Sequence, residues 1–425
     1  MIAGDPRAIA TGVSTDTRAV GAGDAFVALV GDRFDAHDFL GEAAAKGAAC
    51  AIAQRAPEDL ACGFIRVPET LAALQRLAAG YRDSLKDFRA IGITGSSGKT
   101  STKDLVRAVI EAHCPASATQ GNLNNHIGLP LTILRAKPEH RAGIWEMGMN
   151  HPGEIAPLAA IAKPDLAIIT NIGVAHLEHM KTRDAIALEK GMLAEAVGQS
   201  GAVILQNEDD YTDAIARRCR ARVVRAGLAG GDVTASDLRV SADGIAFTLH
   251  MDGASAGVSL PVHGRHMVAN ALLAAAAGRE FGMSAQAIAA ALGKAQLTGG
   301  RLGKSVIGGV TYLDDTYNAN PASMRAALET LAQIPCGGRR IAVLGFMGEL
   351  GDQAAAMHRG VGEATAAAKI DAVFTVGDLA SPIAEGARDG GVPQVEEFSS
   401  RMRLRRAVGR DRRGGDLALA KGSRA

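Results

Sequence analysis

The sequence lacks the features that mark membrane-spanning, secreted or zinc-binding proteins. No stretch approaches the roughly 18 unbroken apolar residues that a membrane-spanning helix needs, and no apolar signal core follows the N-terminus. The cysteines number five, and no two of them form a Cys-x-x-Cys pair. These absences argue against membrane insertion, a disulfide framework and a zinc site. We therefore expect a cytoplasmic protein whose cysteines are buried thiols.

An excess of charge of one sign is also missing. The chain has 46 Lys and Arg residues against 45 Asp and Glu residues, which gives a net charge of +1. Without a basic excess it lacks the positive field that is typical of nucleic-acid binding, so we expect no nucleic-acid partner. An anionic substrate would have to be bound by local positive groups. A monomer is our default expectation.

The chain is long enough for several domains, because 425 residues exceed what one ordinary core holds. Up to about residue 85, short apolar runs such as Ala25 to Val30 mix with turns, and an amphipathic helix is predicted over Thr70 to Leu85. Strands then alternate with helices up to about residue 299, with a β-rich passage near Val233 to Pro261. The alternation resumes from residue 300.

Strands that alternate with helices are typical of parallel, doubly wound sheets. We therefore predict an α/β protein of three domains, with boundaries at residues 1–85, 86–299 and 300–425. The first is a mixed α/β domain, the second a parallel-sheet domain with a phosphate loop, and the third a smaller Rossmann-like α/β domain. The basic cluster Arg401 to Arg413 is predicted to be a solvated helix and loop.

A shortened phosphate loop follows the strand predicted over Ala90 to Thr94. Glycines allow a loop to turn its amides toward a phosphate, and the following helix adds a partial positive charge. Lys99 adds a full charge, and the Thr100 hydroxyl can reach a magnesium ion. The motif is shorter than a Walker loop, since Ile93 occupies the position of its first glycine. The predicted ATP-binding loop residues are Gly95, Ser96, Ser97, Gly98, Lys99, Thr100 and Ser101.

Other polar residues follow strands of the same predicted sheets, where ligands of parallel sheets gather. Glu146 follows one strand and suits magnesium, although a surface acid that caps the next helix is the simpler alternative. His176 follows another; a lone histidine there would more often serve packing. The pair Asp314 and Asp315 and the cation Lys421 follow strands of the third domain.

These residues indicate phosphoryl transfer but do not name the acceptor. Three classes remain open at this point: a ligase that forms an acyl phosphate, a kinase or NTPase switch, and a nucleotide-binding module without chemistry. An Asn-Lys-x-Asp base reader, which a GTPase would have, is absent.

Longer motifs resemble one family over nearly the whole chain. TGSSGKTST (residues 94–102) resembles the ATP loop of the Mur ligases and of their relative folylpolyglutamate synthase. Further motifs follow in the order of the Mur ligase family: STDTR (14–18), NLNNHIGLP (122–130), WEMGMNHPGEI (145–155) and TNIGVAHLEHM (170–180). DDTYNANPASM (314–324) and LGFMGELG (344–351) are similar to the members that add D-alanyl-D-alanine. The DNPR motif expected of the tripeptide-forming members is absent.

The resemblance implies an ATP-dependent ligase that joins D-alanyl-D-alanine to UDP-N-acetylmuramoyl-tripeptide through an acyl phosphate. Such an enzyme would serve peptidoglycan synthesis, and with it cell shape and cell division. The alternatives are another Mur-type amide ligase, which forms the tripeptide, or a phosphate-loop NTPase or nucleotide-binding module without ligation.

The resemblance also implies roles for single residues around ATP and Mg²⁺. Lys99 would bind the β- and γ-phosphates, and the magnesium ligands would be Thr100, Glu146, His176 and Lys190, the last as a carbamylated lysine. The four residues implied in catalysis are Lys99, Glu146, His176 and Lys190. Asn270 would face adenine, Arg301 the γ-phosphate and Asp315 the ribose. Two positions depart from the family pattern: Met267 stands in place of an asparagine, and Met192 in place of an acid.

The remaining implied roles concern the other two substrates. Thr17 and Arg18 would contact the uridine nucleotide. The further residues implied in substrate binding are Asn122, Asn125, Asn318, Asn320, Lys421 and Arg424.

Overall fold

The computed structural model describes residues 2–3 and 9–423 of the chain. The chain forms two compact units, of which the first comprises Met1–Gly92, Cys114–Met149 and Glu154–Asp165. The second comprises Ile93–His113, Asn150–Gly153 and Leu166–Ala425. Within the described part, no helix is both long and apolar enough to cross a bilayer.

The N-terminal part folds around one small sheet. Its elements are β1 (Ile2–Ala3), β2 (Gly12–Ser14), β3 (Asp24–Val27), α1 (Leu40–Ala45), β4 (Cys50–Ala53), β5 (Gly63–Arg66) and α2 (Thr70–Ser84). The strand order is β1-β5-β4-β3-β2, and all pairings are parallel except that of β1 with β5. The apolar run Ala25 to Val30 reads as a strand in the sequence, but β3 ends at Val27, where the Leu29 amide donates to the Val27 carbonyl in a tight turn.

The middle of the chain alternates strands and helices as predicted. Its first elements are β6 (Arg89–Thr94), α3 (Lys99–Glu111), β7 (Ala116–Ala118), α4 (Gly128–Leu134), β8 (Ala142–Glu146), α5 (Ile155–Ala162) and β9 (Leu166–Ile169). Then follow α6 (Leu177–Met180), α7 (Arg183–Glu195), β10 (Ala202–Gln206), α8 (Thr212–Ala216) and β11 (Arg222–Gly227). In the first unit β7 and β8 pair in parallel, and in the second β9, β10 and β11 are successive parallel neighbours.

The predicted β-rich passage is an antiparallel meander of β12 (Val233–Val240), β13 (Ile245–Met251) and β14 (Ala254–Leu260). The helices α9 (Arg265–Glu280) and α10 (Ala285–Leu292) follow. α9 is largely buried and rich in alanine. It packs closely on α3, because a Cβ atom on Gly278 would lie 2.6 Å from a methyl carbon of Val109.

The C-terminal part is a second α/β layer. Its elements are β15 (Gly303–Ile307), β16 (Val310–Asp315), α11 (Pro321–Gln333), β17 (Arg340–Leu344), α12 (Ala354–Ala367), β18 (Ala372–Val376), α13 (Ser381–Asp389), β19 (Gln394–Phe398), α14 (Arg401–Asp411) and β20 (Leu417–Lys421). The strand order is β15-β16-β20-β17-β18-β19, and only the edge strand β15 is antiparallel to its neighbour.

Two predictions need correction here and one is confirmed. Asp314 and Asp315 do not follow their strand but lie within β16, where they pair with Ala420 and Lys421 of β20. All five cysteines are free thiols, but each is only partly buried. The basic cluster is the mostly exposed helix α14 and the loop after it, as predicted.

Candidate nucleotide and metal site

The phosphate loop depends on its two glycines. β6 ends at Thr94 and α3 begins at Lys99, so the loop spans four residues. Gly95 has φ +153°, and a Cβ atom there would lie 1.8 Å from the Thr170 hydroxyl oxygen. Gly98 precedes α3 with φ +80°, which favours glycine as well. The loop therefore begins and ends at positions that other residues would strain.

Residues after β9 hold the loop in shape. The Ser96 amide donates to the Asn171 carbonyl at 3.0 Å. The Asn171 side chain accepts from the Ser97 amide and donates to the Ser97 carbonyl, both at 3.0 Å. Ser96 also donates through its hydroxyl to the Gly173 carbonyl at 3.0 Å. Because the Ser96 and Ser97 amides serve the loop itself, the N-terminus of α3 is the end that attracts phosphate.

Several predicted nucleotide residues meet at this loop. The Lys99 ammonium donates to the Gly95 carbonyl at 2.7 Å. Arg301 donates from Nη2 to the Thr100 hydroxyl at 2.8 Å. The Asn270 side chain faces Gly98, since a Cβ atom on that glycine would lie 3.0 Å from Asn270 Oδ1. The Asn270 amide nitrogen lies 3.7 Å from the sulfur of Met267.

Asn320 contacts the phosphate loop. Its side-chain nitrogen donates to the Ser97 hydroxyl at 2.8 Å, and its oxygen accepts from the Ser323 amide to cap α11. The role in binding the peptide substrates that the resemblance implies for Asn320 stays a prediction.

Lys190 is a buried amine. Its side chain is fully buried in α7, and its Nζ has no hydrogen-bond partner among the described residues. Burial and the ammonium of Lys99 lower the pKa of Lys190 well below its usual value. A lowered pKa favours the neutral amine, which is the form that reacts with carbon dioxide, so the environment fits the implied carbamylation.

His176 is held by a residue that sequence reasoning missed. His176 and Glu349 both have left-handed backbones, with φ +58° and +60°, and Nδ1 of His176 hydrogen-bonds the Glu349 carboxylate. Burial lowers the pKa of His176, although the Glu349 carboxylate opposes this. Glu349 belongs to the motif LGFMGELG, whose presence was the available signal. The loop that contains Glu349 is anchored at Met347, whose amide donates to Nε2 of His358 at 2.8 Å.

Asp315 and Lys421, expected in separate roles, form one buried pair. Their oxygen and nitrogen lie 2.6 Å apart, and Lys421 also donates to the Asn318 carbonyl at 3.0 Å. Burial outweighs their mutual attraction, raising the pKa of Asp315 and lowering that of Lys421. The Asn318 side chain accepts from the Ser423 hydroxyl at 3.3 Å. Arg424 lies outside the described residues.

The first unit contains the predicted carboxylate Glu146. It is buried at the end of β8, where its Oε1 accepts from the Asn124 side chain at 2.8 Å. Asn125 has a local role, since its oxygen accepts from the amides of Ile127 and Gly128 at the start of α4. Asn122 is exposed. No three His, Cys, Asp or Glu side chains cluster as a metal site in the described part of the chain.

Thr17 and Arg18 lie on the surface of the N-terminal part. The Arg18 guanidinium donates to the Asp16 carboxylate, and the distance from Nη2 to Oδ2 is 2.7 Å. This bond lowers the pKa of Asp16 to about 2. The Thr17 carbonyl accepts from the Lys46 ammonium at 2.9 Å.

Comparison with known proteins identifies the family. Residues 10–82 match the model described as "Mur ligase family, catalytic domain", residues 93–278 "Mur ligase middle domain", and residues 300–424 "Mur ligase, glutamate ligase domain". A UDP-N-acetylmuramoyl-tripeptide–D-alanyl-D-alanine ligase of Bacillus subtilis is 37% identical over 419 residues, which cover 97% of this chain and 90% of the relative. The chain belongs to the Mur ligase family. The family predicted from the motifs is thereby confirmed.

Solved Mur ligases share the fold. The structure of MurF from Acinetobacter baumannii matches with a TM-score of 0.89 and 36% identity, covering 97% of this chain and 90% of that one. The MurF ligase of Thermotoga maritima in complex with ADP matches with a TM-score of 0.87 and 27% identity, covering 97% and 94%. The predicted three-domain α/β fold is confirmed by these matches.

Proposed function

We propose that this Mur ligase joins D-alanyl-D-alanine to UDP-N-acetylmuramoyl-tripeptide at the expense of ATP. The product, UDP-N-acetylmuramoyl-pentapeptide, serves peptidoglycan synthesis, and the enzyme acts in the cytoplasm as a monomer. One observation carries the proposal: Lys99, Thr100 and Arg301 meet at a phosphate loop in a chain 37% identical to a ligase of that name.

The reaction proceeds in two steps. The terminal carboxylate of the tripeptide attacks the γ-phosphorus of ATP, the bond to the β-phosphate oxygen breaks, and an acyl phosphate and ADP result. The amine of D-alanyl-D-alanine then attacks the acyl carbon, phosphate leaves, and the amine loses a proton. Lys99 and Arg301 neutralise the negative charge that gathers on the phosphates, which lowers the barrier of the first step.

Magnesium fits the donors that the chain offers. The proposed ligands are the Thr100 hydroxyl, Glu146, His176 and a carbamylated Lys190, all of them oxygen donors except the histidine nitrogen. This set is supported by the buried carboxylate of Glu146 and by the Lys190 amine, which has no hydrogen-bond partner among the described residues. A bound Mg²⁺ would supply charge neutralisation at the phosphate oxygens.

The other residue roles remain proposals. Asn270 is proposed to contact adenine. Asp315 is proposed to bind the ribose, whose hydroxyls would compete with Lys421 for the Asp315 carboxylate. Thr17, Arg18, Asn122 and Asn125 are proposed to bind the uridine-linked substrate. Asn318, Asn320, Lys421 and Arg424 are proposed to bind the peptide and the dipeptide. The proposed domain boundaries, 1–85, 86–299 and 300–425, are supported by the three segments that match family models.

The test is phosphate release from ATP, with the product identified by mass spectrometry. We expect release to require both the UDP-linked tripeptide and D-alanyl-D-alanine, and to yield the pentapeptide. Release with a UDP-linked dipeptide and a single amino acid would instead identify a tripeptide-forming ligase. Release that needs no acceptor would identify an NTPase.

A paired substitution checks the role of the loop. Lys99→Met removes the charge at the phosphates and is expected to lower kcat by more than about a hundredfold. Lys86→Met makes the same change at an exposed position and should leave kcat unaltered. An active Lys99→Met variant would contradict the proposed mechanism.

A further inference from the structure

The short segment Thr298–Arg301 is tied to the first two turns of α3. Thr100 and Asp104 are four residues apart in α3 and therefore lie on the same face of the helix. The Thr100 hydroxyl accepts from Arg301 Nη2 at 2.8 Å. The Asp104 carboxylate accepts from the Thr298 amide at 2.7 Å. Both ends of the segment are thus bound to the helix that begins at the phosphate loop.

Asp104 is a buried acid that is paired with a neighbouring lysine. Its side chain is 1% exposed, and its Oδ1 lies 2.9 Å from Nζ of the buried Lys103. Burying a carboxylate is costly unless it is paired, and the ion pair offsets that cost. Asp104 has no role in the two proposed steps of the reaction.

The far end of the segment is equally constrained. The Gly300 carbonyl accepts from the Tyr317 amide at 3.2 Å. Gly300 has φ +75°, and a Cβ atom there would lie 3.3 Å from Tyr317 Cβ. The Arg301 guanidinium lies over the Tyr317 ring at 4.2 Å, a cation–π contact. Arg301 therefore has one direction in which to extend, toward the loop.

We infer that Asp104 is a positioning residue that fixes the segment Thr298–Arg301, so that Arg301 reaches the γ-phosphate of ATP. This inference rests on the proposed role of Arg301. Asp104 itself touches no substrate, and its effect passes entirely through the Thr298 amide. Loss of this bond should weaken binding of a nucleotide that has a γ-phosphate and leave ADP binding unaltered.

The test measures binding of ADP and of a non-hydrolysable ATP analogue by calorimetry, both with Mg²⁺. For Asp104→Ala we expect the Kd of the analogue to rise roughly tenfold, the effect of losing a bond to a charged group, with the Kd of ADP unchanged. Arg301→Ala should raise the Kd of the analogue at least as much. The double variant should match Arg301→Ala, because both substitutions remove the same contact.

Three further variants distinguish a positioning role of Asp104 from a general loss of folding. Asp104→Asn keeps an oxygen for the Thr298 amide and should restore analogue binding. Thr298→Pro removes that amide donor, leaves the buried ion pair intact, and decides the question if Asp104→Ala fails to fold. Glu111→Ala, at the other end of α3, should change neither Kd.

Two results would overturn the inference: losses that multiply in the double variant, or equal weakening of ADP and the analogue in Thr298→Pro. Neither measurement uses an acceptor substrate. A chain that fails to ligate D-alanyl-D-alanine but shows the nucleotide pattern would therefore refute the proposed function alone.

Discussion

At the scale of single residues, Lys190 shows how burial can prepare a side chain for chemistry. An amine with no exposed surface and no hydrogen-bond partner among the described residues is costly as a charge. The neutral form is favoured, and conversion to a carbamate would give the site an acidic oxygen donor. In the proposed carbamylation, the neutral amine that burial favours is the reactive form.

Carbamylation of Lys190 can be observed directly. In the presence of ¹³C-bicarbonate and Mg²⁺, we expect a carbamate resonance in the ¹³C spectrum of the protein, because burial and Lys99 lower the pKa of the amine. Lys190→Met should abolish that resonance, whereas Lys163→Met, at an exposed lysine, should not. A resonance that survives Lys190→Met would assign the carbamate to another residue.

The positions of single residues were predictable where local sequence decides them. Lys99 and Thr100 follow a glycine loop, so their place could be read from the motif. The partners Asn171 and Glu349 could not, because each meets its partner only through the tertiary fold: Glu349 contacts His176, 173 residues away. Local spacing contains no information on such contacts.

At the scale of elements, the phosphate loop owes its shape to the close approach of Thr170. The Thr170 hydroxyl donates to the Ser97 carbonyl at 2.5 Å and occupies the space beside Gly95. A loop with this contact cannot accept a side chain at its first position.

Gly95→Ala tests this close packing. We expect unfolding free energy to fall by roughly 1–3 kcal/mol and ADP binding to weaken, because the added carbon overlaps Thr170. Gly253→Ala is the matched control: its φ is +75°, but a Cβ atom there meets nothing within 4 Å. Urea unfolding and calorimetry measure the two effects. Equal losses in both variants would attribute the cost to backbone strain alone.

Element type was more predictable than element ends. The alternation of strands and helices was correct, because apolar periodicity reports burial directly. The end of β3 at Val27 and the extension of β16 to Asp315 were not foreseen. The end of β16 depends on pairing with Lys421, which is distant in sequence, and β3 ends at a turn in which Leu29 donates to the Val27 carbonyl.

At the scale of the whole molecule, compactness follows long-range packing rather than the order of segments. Helix α2, predicted as part of a separate N-terminal domain, bonds to later parts of the first unit. Tyr81 donates to the Ala136 carbonyl at 2.6 Å, and Arg82 bonds Asp165 at 2.9 Å. Such contacts join residues on either side of the predicted boundary at residue 85, so the first compact unit includes residues of the first two predicted domains.

Acid stability of the fold is expected to depend on Asp416. Burial alone would raise its pKa, but hydrogen bonds from Arg339 and Arg413 outweigh it, and the pKa is lowered. A lowered carboxylate pKa stabilises the fold above the unfolded pKa of about 4, and this stability is lost as pH falls through the folded pKa. Asp416→Asn should therefore lower Tm at pH 7 by an amount equivalent to roughly 1–3 kcal/mol, and the difference from wild type should shrink in acid.

Thermal unfolding between pH 7 and pH 3 measures this effect. Asp389→Asn removes an exposed partner of Arg359 and should change Tm little at any pH. A constant difference between Asp416→Asn and wild type across the range would show that its charge is not the stabilising feature.

The side-chain amide of Asn320 makes two structural contacts. Its oxygen caps the N-terminus of α11, and its nitrogen donates to the Ser97 hydroxyl of the phosphate loop. Aspartate is an equally good helix cap but has no donor. An exchange of asparagine for aspartate would therefore be silent for the helix and harmful for the loop. Deamidation during ageing makes this same exchange elsewhere in proteins, by attack of the next backbone amide nitrogen on the asparagine side chain. Pro321 follows Asn320 and has no backbone N–H, so this route is closed and the amide is protected in stored protein.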